Sequence, residues 1–198
     1  NRPPDPEREA LRELVQHRDQ RVQQRDDDRR RLHQAHLPAV RQSLRENIAW
    51  QARCIAALDR QIIQAQARVD SALAQRLLAV PGIGPVTCAS LLAWLPELGT
   101  LDRRQIAALA GLAPYNTDSG QKSGKRRIRG GRAPIRNVLY MACWSVIRTQ
   151  AAFKQRYDRL RQQGKCAKLA LTACMRVLVV RLNAMARDQT EWIMETAA

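Results

Sequence analysis

Residues 44–69 read LRENIAWQARCIAALDRQIIQAQARV, and their spacing decides the fold. Leu44, Ile48, Gln51, Ile55, Leu58, Ile62, Ala65 and Val69 alternate steps of four and three. That period is a heptad seam. It predicts a helix packed along another helix, in the same chain or in a partner. The polar Gln51 is placed to fix register. A helix over residues 40–74 would be ~50 Å long at 1.5 Å per residue. Upstream, after a proline-rich lead-in over residues 1–6, a second helical pattern starts near Glu7. Leu11, Leu14, Val15 and Val22 lie on one side of it. The pattern weakens through residues 25–31, where charges occupy every face, and the triplet Asp26-Asp27-Asp28 is expected to be solvated. Pro38 separates the two patterns and predicts an antiparallel hairpin or a kinked arm.

Downstream, residues 77–96 carry no charge. Pro81-Gly82-Ile83-Gly84-Pro85 interrupts them, so a buried hairpin is expected there rather than a membrane span. Asp102 and Gln105 fit a capping box for a short helix ending near Ala110 and closed by Gly111. A helix from Pro134 would line Ile135, Val138, Leu139, Ala142, Val146 and Ile147 along one face. After Gly164, a last helix shows Leu171, Cys174, Met175, Leu178, Leu182 and Met185 at the same period. No alternating strand pattern stands out. The predicted fold is all-α, with a long helical arm over residues 1–74 and a compact helical domain over residues 75–198.

Composition narrows the partners. The 198 residues hold 34 Lys and Arg against 18 Asp and Glu, a net charge of +16. Almost all of the excess falls after residue 36. A charge of that size on a small protein points to a polyanion, because neutralising phosphates releases counterions. The five cysteines have no CxxC pair and lie far from His17, His33 and His36, which argues against zinc and for small buried thiols in a reducing cytosol. The chain opens on Asn-Arg-Pro-Pro, without the pattern of a secretory leader.

Two segments carry candidate chemistry. Val80-Pro81-Gly82-Ile83-Gly84-Pro85 has the form of a helix-hairpin-helix turn. In such turns Gly82 and Gly84 would let backbone N–H groups meet a nucleic-acid phosphate at the start of the next helix. A tight turn with a packing role alone is the other reading, and no Lys or Arg follows Gly84 until Arg103. The second segment runs from Asp118-Ser119-Gly120 to Arg136. Residues 121–136 contain seven cations (Lys122, Lys125, Arg126, Arg127, Arg129, Arg132 and Arg136) and no acid. Gly120 would let the backbone approach a ligand closely, and arginine offers a donor fork matched to phosphate oxygens. A serine in that setting is a candidate nucleophile toward a phosphodiester, provided cations or a base activate it. The acids of residues 70–198 are scattered and do not suggest a two-metal site.

Residues 80–192 resemble the C-terminal domain of transposases from the insertion sequence 110 family. The resemblance rests on Val80-Pro81-Gly82-Ile83-Gly84-Pro85, Ala110-Gly111-Leu112-Ala113-Pro114-Tyr115 and Asp118-Ser119-Gly120. It continues through Gly124-Lys125-Arg126-Arg127-Ile128-Arg129-Gly130-Gly131-Arg132, Val138-Leu139-Tyr140-Met141-Ala142, Gly164-Lys165 and Leu171-Thr172-Ala173-Cys174-Met175-Arg176. The preceding arm is similar to the family's coiled-coil region. The resemblance implies a bacterial, cytoplasmic and nucleoid-associated DNA recombinase, guided by a structured RNA and acting as a homo-oligomer through the arm, with no membrane partner. It makes Ser119 the nucleophile, with Ser123 second. It also implies that Mg²⁺ belongs to a RuvC-like domain with DEDD acids, which is expected to be absent from this chain; no cofactor is expected here. On that basis the chain alone would bind nucleic acid without completing recombination. The alternative is a non-catalytic helical nucleic-acid-binding protein.

Overall fold

A computed structural model describes residues 5–115, 127–128 and 130–193. Its backbone divides into two compact units, residues 1–71 and 72–198.

The first unit is a helical hairpin. Helix α1 (Pro6–Gln34) opens on Asp5, whose carboxylate accepts from the Glu7 N–H, with Pro6 in the first turn. Helix α2 (Pro38–Leu78) returns alongside it. The connection is fastened by Arg41, whose Nη1 donates to the carbonyls of Leu32 and Ala35 at 3.0 and 2.8 Å. Side chains pair across the hairpin in antiparallel order: Asp28 with Asn47, Gln24 with Gln51, Arg18 with Asp59 and Glu7 with Arg68. Of the seam positions, Gln51, Ile55, Ile62 and Ala65 are buried, while Leu44, Ile48, Leu58 and Val69 are half-buried. Gln51 is buried and donates to Gln24 Oε1 at 3.2 Å, which suits a residue that fixes register.

One expectation fails here. Asp28 is not solvated: it is 6 % exposed and accepts from Asn47, with Arg31 one turn along at 3.5 Å. Three consecutive residues on a helix do face three directions, and one of those directions is the seam. Helix α2 is also not continuous, since Asp70 has extended backbone (φ −164°, ψ 94°) at the end of the first unit.

The second unit holds the larger apolar core. Helices α3 (Pro85–Trp94), α4 (Arg103–Leu109), α5 (Ala133–Thr149), α6 (Ala151–Gln162) and α7 (Ala167–Asp188) build it, with α7 packed on α4, α5 and α6. The predicted apolar face of α5 is buried at Ile135, Leu139, Ala142, Val146 and Ile147. That of α7 is buried at Leu171, Cys174, Met175, Leu178, Leu182 and Met185. Helix α7 is long and apolar enough to cross a membrane, but about half of its apolar stretch is buried inside this unit. The predicted capping box is present: Asp102 accepts from the N–H groups of Arg104 and Gln105, and Gln105 Oε1 accepts from the Asp102 N–H. Those backbone donors hold the Asp102 carboxyl below its ordinary value.

Buried polar groups tie the unit together. Asn183 on α7 accepts from the Gly99 N–H and donates to the Leu101 carbonyl. Cys88, Cys143 and Cys174 are buried thiols, as expected; burial pushes Cys88 up to about 12. Cys166 is exposed instead, at the start of α7. The fold is all-α with one small addition, an antiparallel ladder of β1 (Pro114–Tyr115) and β2 (Arg127–Ile128). Two residues per strand are too few for an alternating pattern to show in the sequence.

Candidate nucleic-acid interface

The basic segment leaves the core between α4 and α5, and both of its ends are pinned. Gly111 and Gly131 meet backbone to backbone, both at positive φ (69° and 68°). A Cβ on Gly131 would overlap the Gly111 backbone, so only glycine fits. Arg132 N–H donates to the Leu109 carbonyl at 2.8 Å beside that crossing. One step outward, Pro114 pairs with Ile128 and Tyr115 with Arg127 in the two-residue ladder. The sequence between the strands is thus a connection whose two stems are held side by side. Ser119, Gly120, Lys122, Ser123, Lys125 and Arg126 belong to that connection and lie outside the described residues, as does Arg129. Arg127 is described as part of β2.

Two arginines of the expected phosphate-binding set have internal partners. Arg132 forms a bidentate pair with Glu97 at 2.5 and 2.6 Å and donates to the Trp94 carbonyl at 2.8 Å. It fastens the start of α5 to the end of α3, with its guanidinium engaged by partners within the chain. Arg136 Nη1 donates to the Gly130 carbonyl at 2.9 Å and closes over the glycine crossing. Both act on the base of the loop. Sequence reasoning counted these two cations without seeing their partners, because Glu97 lies 35 residues from Arg132 and no local pattern links them.

The Pro-Gly turn also separates into two roles. Gly82 has φ +98°, and a Cβ there would meet Val146 and Ser145 of α5 at 2.9–3.0 Å. Val80 and Ile83 are buried on either side. Gly82 is therefore a packing glycine that lets the turn sit on α5. Gly84 differs: it is the N-cap of α3, it is exposed, and nothing lies within 4 Å of the place a Cβ would take. The Val86 and Thr87 N–H groups belong to the first turn that follows. Gly84 is the more exposed of the two glycines.

Sequence reasoning missed Gln150, which sits in extended backbone between α5 and α6 and is buried. Its amide donates to the Pro81 carbonyl at 3.3 Å and accepts from Trp192 Nε1 at 3.1 Å, tying the turn to the end of the described chain. No Gly or Pro marks the break between α5 and α6, so no local signal could have found it. For the Mg²⁺ implied by the resemblance, no three His, Cys, Asp or Glu side chains gather among the described residues, so these side chains do not fit the ion.

The described structure is thus a helical unit in which the backbone stems on either side of residues 116–126 are paired at their base. Residues 74–158 match the model of the IS116/IS110/IS902 transposase family. The chain is 34 % identical over 152 residues to the insertion element IS900 uncharacterized 42 kDa protein of Mycobacterium paratuberculosis, covering 71 % of this chain and 37 % of that protein. It is 32 % identical over 117 residues to the insertion element IS110 uncharacterized 43.6 kDa protein of Streptomyces coelicolor, covering 58 % and 29 %. It is 31 % identical over 119 residues to the pilin gene-inverting protein of Moraxella lacunata, covering 58 % and 37 %. The chain thus spans about a third of the length of these relatives.

Proposed function

We propose that this chain is a DNA-handling part of an insertion-sequence transposase or recombinase. One observation carries the proposal: the family match spans the whole basic segment, together with the pinned glycine stems that hold it. The named activity of the Moraxella relative, gene inversion, agrees with DNA recombination. Within this reading Ser119 Oγ attacks a backbone phosphorus. The Oγ–P bond forms as the bond from phosphorus to the leaving strand oxygen breaks, the serine proton passes to solvent or a base, and the leaving oxygen takes up a proton. Lys122, Lys125, Arg126, Arg127 and Arg129 would offset the charge that develops on the phosphorane. Gly84 and the first turn of α3 would hold a neighbouring phosphate. Guide RNA and further copies of the chain, joined through the arm, complete the proposal, as does a cytoplasmic, nucleoid-associated setting.

The test is a covalent protein–DNA adduct, assayed with the RuvC-like domain, guide RNA and Mg²⁺ supplied. Ser119→Ala is expected to remove the adduct, while Ser123→Ala leaves it intact. Adduct at wild-type level in Ser119→Ala would show that the serine assignment is wrong. Nucleic-acid binding retained without any adduct would instead favour the non-catalytic reading.

A further inference from the structure

Helices α5 and α6 carry a strip of aromatic side chains at the surface of the second unit. Tyr140 is 42 % exposed, and one turn further along α5 stands Trp144, half-buried. The Trp144 ring lies 5.7 Å, centroid to centroid, from that of Tyr157 on α6, with 59° between their planes. Residues four apart on a helix are surface neighbours, so Tyr140, Trp144 and Tyr157 follow one another across the two helices. Met141, 66 % exposed, adjoins Tyr140 in sequence. Single exposed apolar residues need no explanation, but a run of three rings with a methionine beside it does. The ground around the strip is cationic. Together α5 and α6 carry six Lys or Arg against one acid, Asp158. Arg148 follows Trp144 by four residues, Lys154 precedes Tyr157 by three, and Arg161 follows it by four; all three are exposed, each one turn from a ring. Arg161 Nη1 donates to the Lys165 carbonyl at 2.7 Å, which steadies its guanidinium at the end of α6.

We propose that this strip stacks the unpaired bases of single-stranded DNA, while the cations one turn away meet its phosphates. The inference rests on the reading of the chain as DNA-handling and adds a contact surface to it. Rings set beside cations match the two halves of a nucleotide, since every base has a π-face and every link a negative charge. A duplex fits less well: its bases are stacked on one another, and only their edges and the backbone are within reach. A second copy of this chain carries the same net charge of +16 and would be repelled. A strand that is cut and moved leaves bases without partners, and there such a surface can act. Because stacking tolerates any base, the strip would hold a strand without reading its sequence.

The experiment uses the whole chain with labelled oligo-dT and with a DNA duplex of equal length, each titrated across salt. Tyr140→Ala is expected to weaken oligo-dT binding about 5-fold or more and to leave duplex affinity unchanged. The slope of log affinity against log salt should stay at its wild-type value, because a ring and no charge is removed. Tyr140→Phe keeps the ring and should bind oligo-dT as the wild type does. Arg148→Gln should act on the slope instead, lowering it by about 0.7. In parallel, oligo-dT carrying 5-iododeoxyuridine should crosslink under ultraviolet light to Tyr140 or Trp144 in the wild-type chain, a readout that needs no variant to fold. Wild-type oligo-dT affinity in Tyr140→Ala, or crosslinks that map only elsewhere, would overturn the strip and leave the DNA-handling reading standing in a chain that still binds duplex. Equal weakening toward duplex and oligo-dT would also overturn it, as would a loss seen with oligo-U alone or a change in sedimentation with oligo-dT binding intact. Failure of the wild-type chain to bind either DNA at low salt would overturn both.

Discussion

In the arm, Gln24 meets Gln51, Asp28 meets Asn47 and Arg18 meets Asp59, so the rungs of the hairpin are largely polar. Its buried apolar side chains among the described residues are Leu11, Val15, Ile55, Ile62 and Ala65. In the compact unit the order is reversed: every helix contributes apolar side chains to one core, and the few polar ties span long stretches of sequence. Arg132 reaches Glu97, Asn183 reaches Gly99 and Leu101, and Gln150 reaches Pro81. The contrast separates two ways of obtaining a unique structure. A hairpin with little apolar area gains its register from matched polar pairs. A dense core gains rigidity from packing and needs polar ties only where irregular backbone must be held, as at the base of the loop.

The largest expected effect would break the arm alone. Ile62 is 1 % exposed, and Ile62→Asp would bury an unpaired charge, costing about 3–5 kcal/mol. Hydrogen exchange should show α1 and the first part of α2 losing protection while α5 and α7 keep theirs. Equal loss in both units would mean that they fold as one, and the contrast would fail.

Next in size is Gly131→Ala, at about 2–3 kcal/mol. It combines a left-handed backbone with overlap against Gly111. The loss should appear in the compact unit and, with it, in DNA affinity, since the stems of the basic connection would part. Gly84→Ala is the internal control: it meets open space, so the fold should be unchanged and thermal unfolding should match wild type.

Arg132→Met should cost about 1–2 kcal/mol, because a half-buried bidentate pair and the donor to the Trp94 carbonyl are lost together. Glu97→Gln should cost less, and the double variant should fall short of the sum, which a double-mutant cycle would measure. In the arm, Arg68→Ala removes an exposed pair with Glu7 and should stay within about 0.5 kcal/mol. If the two substitutions cost the same, the distinction between structural ties and surface pairs is wrong.

These expectations show what could be read from residues alone and what could not. The heptad spacing over residues 44–69, the capping box at Asp102 and Gln105, and the apolar faces of α5 and α7 are periodic or local signals, and the structure contains each of them. The burial of Asp28, the Gly111–Gly131 crossing and the partners of Arg132, Arg136 and Gln150 were not legible. Each depends on what tertiary packing brings alongside, and sequence spacing holds no record of that. The candidate site divides in the same way. Residue types made the loop a candidate phosphate binder, and only the fold showed that Arg132 and Arg136 have partners within the chain.

The smallest effect gives the finest test, because it concerns a charge that sequence and structure describe alike. Asp102 accepts two backbone N–H groups at the start of α4, and those bonds hold its carboxyl below the ordinary value of 3.8. A carboxyl depressed in the folded state stabilises it above the unfolded value, and that contribution is lost as pH falls through the folded one. Asp102→Asn keeps a capping oxygen but carries no charge. Near neutral pH the variant should therefore melt slightly below wild type, and the gap should close as the pH is lowered beneath 3.8. Helix α4 ends at the Gly111 crossing, so the same gap should appear in the exchange rate of the Arg132 amide, which bonds to Leu109 in that helix. A melting gap that closes with acid while Arg132 exchange stays fixed would mean that the cap supports α4 locally without reaching the base of the loop. The polar ties of the compact unit would then act singly, as the rungs of the arm do.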